Sequence, residues 1–296
     1  SYRDHPARHP FLGRSMRSRT APKGRNEMKR IVKIVTLLAI VFVTLVPFLL
    51  VVMTSLKTKA DSVALPPKWL FSPTFENYVE QLANEEFFRA ALNSLIIASA
   101  TTLIATFIAV FAGYALARYR FRGQGLFAYS FLLIRAVPPI AFVIPYFMIW
   151  RDLDWRDTYQ AMVVMYLTLA LPLMVWMMRS FFVEIPVEIE EAAQVDGCTR
   201  LQAMRYVLIP NVMSGIVAAA GLSFILVWNE FMYALFNTGN ETQTLPVQIY
   251  QSLGYFETNW AKLSSAAVVA VIPAVIFVGL TQRFIVRGLS MGAVKG

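Results

Sequence analysis

The feature that most constrains this chain is a set of six long apolar runs, almost free of charge. They fall near residues 34–53, 90–117, 125–150, 158–178, 212–236 and 263–282. A helix rises about 1.5 Å per residue, so about 20 apolar residues cross the roughly 30 Å hydrocarbon core of a bilayer. Each run meets that length. Inside lipid, every backbone polar group must find its partner within the segment, which a helix achieves. The pattern predicts an all-α integral membrane protein with six transmembrane helices. Composition points the same way: 57% of residues are hydrophobic and 15% are charged, against about 25% charged in a soluble domain.

Basic residues in the short flanks set the orientation. With the N-terminus inside, the cytoplasmic side holds Lys29, Arg30 and Lys33, then Arg118, Arg120 and Arg122, then Arg179, Arg200, Arg205, Arg283 and Arg287. On the other side Lys57, Lys59, Lys68 and Arg89 are diluted by Asp61, Glu76, Glu80, Glu85 and Glu86. Both termini are therefore expected in the cytoplasm. The net charge of +9 follows from this loop bias, so no nucleic-acid partner is expected; membrane lipid is.

Residues 1–28 read differently: basic, proline-dotted and without hydrophobic periodicity, a disordered cytoplasmic tail ahead of a transmembrane domain over 29–296. Met28 opens a Met-Lys-Arg stretch, so residues 1–27 also read as an extension preceding the native start. A cleaved signal peptide over 28–55 is disfavoured, because the apolar run exceeds an ordinary h-region and no small-x-small site follows it. The single Cys198 excludes an intramolecular disulfide and a Cys-based metal cluster. The two histidines, His5 and His9, lie in the basic tail, so no metal site is expected.

Four polar residues stand in or beside the spans: Asn93, Arg135, Asn229 and Glu230. A charge at mid-depth costs a few kcal/mol on insertion scales. Each has two readings. Arg135 either lines a polar path or pairs with a carbonyl freed by Pro138 or Pro139. Glu230 either faces such a path or pairs structurally. Asn93 and Asn229 either face it or bond between helices.

The polar stretch 184–210 is longer than a helix hairpin needs. Pro186 suits a helix start, and Glu188, Glu190 and Glu191 suit the positive N-terminal end. Ile185, Ile189, Ala192 and Ala193 share a stripe at helical spacing. Asp196-Gly197 closes this helix, with Gly197 taking the left-handed cap position. Thr199 and Gln202 form a capping box for a second helix. Leu201, Met204, Val207 and Leu208 supply its apolar face, and Pro210 marks the step into the fifth span. A cytoplasmic helix-turn-helix is expected.

The run Glu191-Ala192-Ala193, then Gly197, then Val207-Leu208-Ile209-Pro210 resembles the EAA coupling loop of ABC importer permeases. Asn93-Ser94, the group Phe224, Trp228, Asn229, Glu230 and Phe231, and the ending Gly292-Ala293-Val294-Lys295-Gly296 are similar to patterns of the maltose-type branch, so the resemblance spans about residues 28–296. Cys198, Met204 and Ile209-Pro210 depart from the family's usual small residue, Phe and Leu-Pro.

The resemblance implies a type I importer permease in a bacterial or archaeal cytoplasmic membrane, importing a sugar, polyol or related solute. Its implied partners are a homologous permease subunit, an ATP-binding cassette ATPase dimer and an external solute-binding protein. The implied coupling residues are Glu190, Glu191, Ala192, Ala193, Asp196, Gly197, Arg200, Met204 and Pro210, with Glu190, Glu191 and Asp196 meeting basic groups on the ATPase. The implied translocation path includes Asn93, Arg135, Asn229 and Glu230. No Gly-x-x-x-x-Gly-Lys-Ser/Thr loop occurs, so ATP and Mg would be bound by the partner ATPase, and this chain is not an enzyme and holds no cofactor. The alternative, an ion-coupled secondary transporter, usually needs ionisable groups in several spans, and only Arg135 and Glu230 qualify.

Overall fold

The computed structural model describes residues 23–254 and 258–293, with side chains over 28–254 and 258–284. His5, His9 and the tail up to position 22 lie outside the described residues, as do the Arg287 side chain and the ending 294–296. In chain order the helices are α1 (Lys23–Ser55), α2 (Lys59–Ser62), α3 (Glu76–Ala83), α4 (Glu85–Arg118), α5 (Gln124–Ala136), α6 (Ile140–Asp152) and α7 (Tyr159–Glu184). They continue with α8 (Val187–Val195), α9 (Arg200–Ala203), a π-turn (Met204–Leu208), α10 (Ile209–Trp228), α11 (Met232–Asn237), α12 (Leu245–Gln251) and α13 (Trp260–Ala293).

Two compact units meet at residue 50. In the first, α1 starts at Lys23, inside the stretch expected as tail, because an apolar helix extends readily into adjoining Lys, Arg and Glu, all good helix formers. Over 28–50 its apolar side chains other than the half-buried Val46 are exposed, which suits a lipid-facing span.

The second unit is built on α4 and α7, which pack along one another, with α10 against both and α13 against α10. Helices in lipid gain little from apolar burial as such, so close van der Waals contact decides where they meet. α4 presents Ala98, Ala105, Ala109 and Gly113, all buried, to the large side chains Met162, Met165, Met174 and Met178 of the same core. At Gly113 a Cβ would collide with Met178 Cβ and lie 2.8 Å from the Arg179 amide nitrogen. The crossing needs glycine there.

Two expected spans differ in outline. The run 125–150 is two helices bent by 96°. Pro138 and Pro139 have no N–H to continue the ladder; the Val137 amide donates back to Ile134, and α6 restarts from the carbonyls of Pro138 and Pro139. The run 212–236 ends as a span at Trp228, after which the chain breaks and α11 begins. Five single helices and this bent pair make up to six crossings among the described residues.

Candidate functional site

The 184–210 segment forms as two helices around a glycine turn, and a buried ionic cluster ties the first of them to the end of α4. Pro186 stands just before α8 rather than in it, in an extended conformation (ψ 138°). At the other end Gly197 has φ +92°. The Gly197 amide donates to Gln194 O (3.1 Å) and the Cys198 amide to Ala193 O (3.0 Å), the paired bonds of a Schellman cap. Thr199 follows with a complete capping box: its Oγ1 accepts from Gln202 N and its own amide donates to Gln202 Oε1.

The second helix is not separate. α9 passes through the π-turn directly into α10, one rod from Arg200 to Trp228. Pro210 explains the widened turn. It has no N–H for the carbonyl four residues back, and the Ile209 amide reaches Met204 O instead, five residues back.

Glu190 is the largest departure from expectation. Expected to meet basic groups on the ATPase beside Glu191 and Asp196, it is instead 5% exposed. Its Oε1 accepts from the Tyr114 hydroxyl (2.5 Å) and its Oε2 from Arg118 Nε (2.9 Å). Arg118 Nη2 also donates to Ile185 O (3.0 Å). One side chain of α8 is thereby tied to the end of α4, and one guanidinium spans both ends of the α7–α8 link. The physical reason is the helix period. Glu190 and Ala193 share the inward face and are buried, while Glu188, Ile189, Glu191, Ala192 and Val195 are exposed. Ala192 therefore does not share the stripe of Ala193. Asp196 and Gly197 are exposed at the turn, and Pro210 is exposed. Met204 is buried, and Arg200 lies over the Tyr119 ring, 5.6 Å from its centre.

Tyr114 and Arg118 were not anticipated as part of this site. Their only signal is the i, i+4 spacing of a phenol and a guanidinium at the end of a span, facing a loop rich in glutamate.

The polar residues in or near the spans divide. Asn93 is buried, donating from Nδ2 to the carbonyls of Glu241 (2.8 Å) and Gln243 (3.0 Å) and accepting from the Tyr159 hydroxyl (2.7 Å). The adjoining Ser94 Oγ accepts from Leu245 N. Asn229 donates to Ile225 O within its own helix. Glu230 accepts from the amides of Tyr233 and Ala234 and so closes the N-terminus of α11. Arg135 is exposed in the last turn of α5, beside the bend.

The loop beside Asn93 has its own clamp. Asp157, held at φ +55°, accepts from the amides of Gly239, Glu241 and Thr242 and from the Thr242 hydroxyl. Burial pushes its carboxyl up, but the Thr242 hydroxyl and the three amides together bring it below the ordinary carboxylate range. Among the described residues no group of His, Cys, Asp and Glu could hold a metal ion.

Residues 105–291 match the family described as binding-protein-dependent transport system inner membrane component. The chain is 39% identical over 258 residues to the trehalose transport system permease protein SugB of Mycobacterium tuberculosis, covering 85% of this chain and 93% of that one. It is 36% identical over 279 residues to the trehalose/maltose transport system permease protein MalG of Thermococcus litoralis, covering 91% and 98%. Among solved structures, a bacterial ABC transporter involved in import of the acidic polysaccharide alginate superposes with a TM-score of 0.73 at 21% identity, covering 93% of this chain and 99% of that one. That last likeness is one of fold.

Proposed function

This chain belongs to the family of binding-protein-dependent transport system inner membrane components, and from that premise we propose how it works as the permease subunit of an ABC importer. It is a multi-pass membrane subunit, and ATP hydrolysis is the task of separate ATPase subunits. Its cargo is a sugar, polyol or related small solute, a reading supported by relatives named for trehalose and maltose. The ion-coupled alternative drops out with family membership, and Glu230 is in any case committed to backbone amides.

The observation that carries the mechanism is the division of labour on α8. The exposed face, with Glu191, Ala192 and Val195, is the surface offered to a cleft of the ATPase dimer, with Asp196, Gly197 and Arg200 at its edge. The buried face, through Glu190, passes displacement of α8 to Tyr114 and Arg118 on α4. The close crossing at Gly113 hands it on to α7, and the continuous rod from Arg200 to Trp228 carries it along α10. In this reading the 184–210 loop and both termini are cytoplasmic, and ATP and Mg are bound by the ATPase. A sister permease completes the path, and an external binding protein delivers the solute.

Arg135 is the path residue best supported by local geometry. It stands where two prolines interrupt the backbone ladder of a broken span, and irregular backbone at membrane depth is tolerated against a water-filled cavity or within protein. Asn93 and Glu230, as expected path residues, now have backbone-holding roles; Asn229 is bonded within its own helix.

Reconstitution of this chain with its sister permease, ATPase and binding protein in proteoliposomes tests the proposal. ATP-dependent uptake of trehalose, maltose or a related polyol is expected. Uptake driven by an ion gradient in the absence of the ATPase would overturn it.

A further inference from the structure

We infer that a polar cavity at the end of the bundle opposite the coupling loop is a binding subsite for a neutral, polyhydroxylated solute. The assignment rests on the importer reading above, in which that end faces outside. The cavity encloses about 770 Å³ between α3, the start of α4, α12 and the start of α13. That lies within the roughly 300–1,000 Å³ of small-molecule sites.

What marks it as a site is two amide side chains without protein partners. Gln81 of α3 is 4% exposed and Gln248 of α12 is 9% exposed, and both line the cavity. Neither side-chain amide has a hydrogen-bond partner among the described residues. The amide atoms of both reach the open space of the cavity rather than being sealed from it, so they are available to bond whatever enters. Each offers two donors and an acceptor, the combination that matches a pair of neighbouring hydroxyls.

The surrounding residues narrow the ligand class. Asn84 and Asn93 also face the cavity, but their side chains are already spent, on the start of α4 and on the loop carbonyls. Gln243 and Gln251, bonded to each other, add further amide groups to the wall. The charged residues lining it balance: Arg89 and Lys262 against Glu85 and Glu86, with Lys262 already reaching Glu80. A net-neutral, amide-lined cavity favours neither an anion nor a cation. It suits a sugar or polyol, received here before the path opens further.

Uptake in cells expressing the complete transporter, and solute protection of an introduced thiol, test this together. Gln81→Leu and Gln248→Leu are each expected to raise the KM for the transported sugar about tenfold, more than they lower kcat. In intact cells carrying Gln81→Cys, a membrane-impermeant thiosulfonate is expected to label position 81, read by the mass of this chain. Millimolar trehalose or maltose, whichever is taken up, should slow that labelling at least threefold, while glycine betaine at the same osmolarity should not.

An unchanged KM in both leucine variants, or labelling indifferent to a sugar that the cells import, overturns the subsite. If leucine at 81 blocks assembly, Gln248→Met and the labelling experiment decide. If the wild-type transporter imports no sugar or polyol at all, the cargo reading itself has failed and this subsite falls with it.

Discussion

Removing the Glu190 carboxylate should damage this protein far more than removing its neighbour's. Glu190→Ala deletes the acceptor for both the Tyr114 hydroxyl and Arg118 Nε, whose side chain is 8% exposed beside a 7% exposed carboxylate. Breaking a buried pair by deleting one partner strands the other charge and costs about 3–5 kcal/mol. In a domain of this size that lowers the thermal midpoint by about 6–20 °C. The exposed Glu191→Ala should shift stability by less than about 0.5 kcal/mol.

The assay is thermal unfolding of the nanodisc-held transporter, run as a double-mutant cycle with Arg118→Met. Glu190→Leu combined with Arg118→Met should recover most of the loss, because an apolar pair replaces a buried ionic one at little net cost. The coupling energy should reach about 2 kcal/mol. Additive single effects, or a Glu191→Ala variant less stable than Glu190→Ala, would refute the assignment of Glu190 as an internal strut.

Other perturbations separate local strain from coupling. A Cβ at Gly197 meets no neighbour within 4 Å, but Gly197→Leu must hold φ +92°, so it should cost about 1–2 kcal/mol and lower uptake per ATP hydrolysed while the subunit still reaches the membrane. Gly113→Ala drives a methyl into Met178 and the Arg179 backbone, and should destabilise by about 1–3 kcal/mol in the same unfolding assay. Arg135→Ala should lower uptake with membrane insertion intact; normal uptake removes it from the path. Because the Asp157 carboxyl is held below its ordinary range, its contribution is present above the unfolded value of about 3.9 and is lost as pH falls through the folded value. Relative to the intrinsic exchange rate at each pH, protection of the amides of Gly239, Glu241 and Thr242 should therefore fall on acidification below about pH 4, and Asp157→Asn should lower it at neutral pH.

The parts of the fold legible in the sequence are those set by local chemistry. Apolar length marked the spans, Gly197 the left-handed turn, and Thr199 with Gln202 the capping box. The run 125–150 read as a single span, with Pro138 and Pro139 only freeing a carbonyl; the 96° break between α5 and α6 was not legible in it. The burial of Glu190 was hidden because its partners come from 72 and 76 residues earlier in the chain, and acidic residues at a helix N-terminus are ordinarily solvated. Asn93 was hidden for the same reason: the carbonyls it holds lie some 150 residues away. Glu230 looked like an intramembrane charge only while the fifth span was read through to residue 236; the break after Trp228 turns it into a cap for α11.

In the proposed mechanism α8 meets the ATPase with one face and grips α4 with the other. Photocrosslinking from single positions of α8 in the assembled transporter addresses it directly. An unnatural photoreactive residue at 191 or 195 should yield adducts with the ATPase, and one at 190 should yield adducts within this chain alone. ATPase adducts from position 190, or none from 191 and 195, rule out this two-faced arrangement of α8.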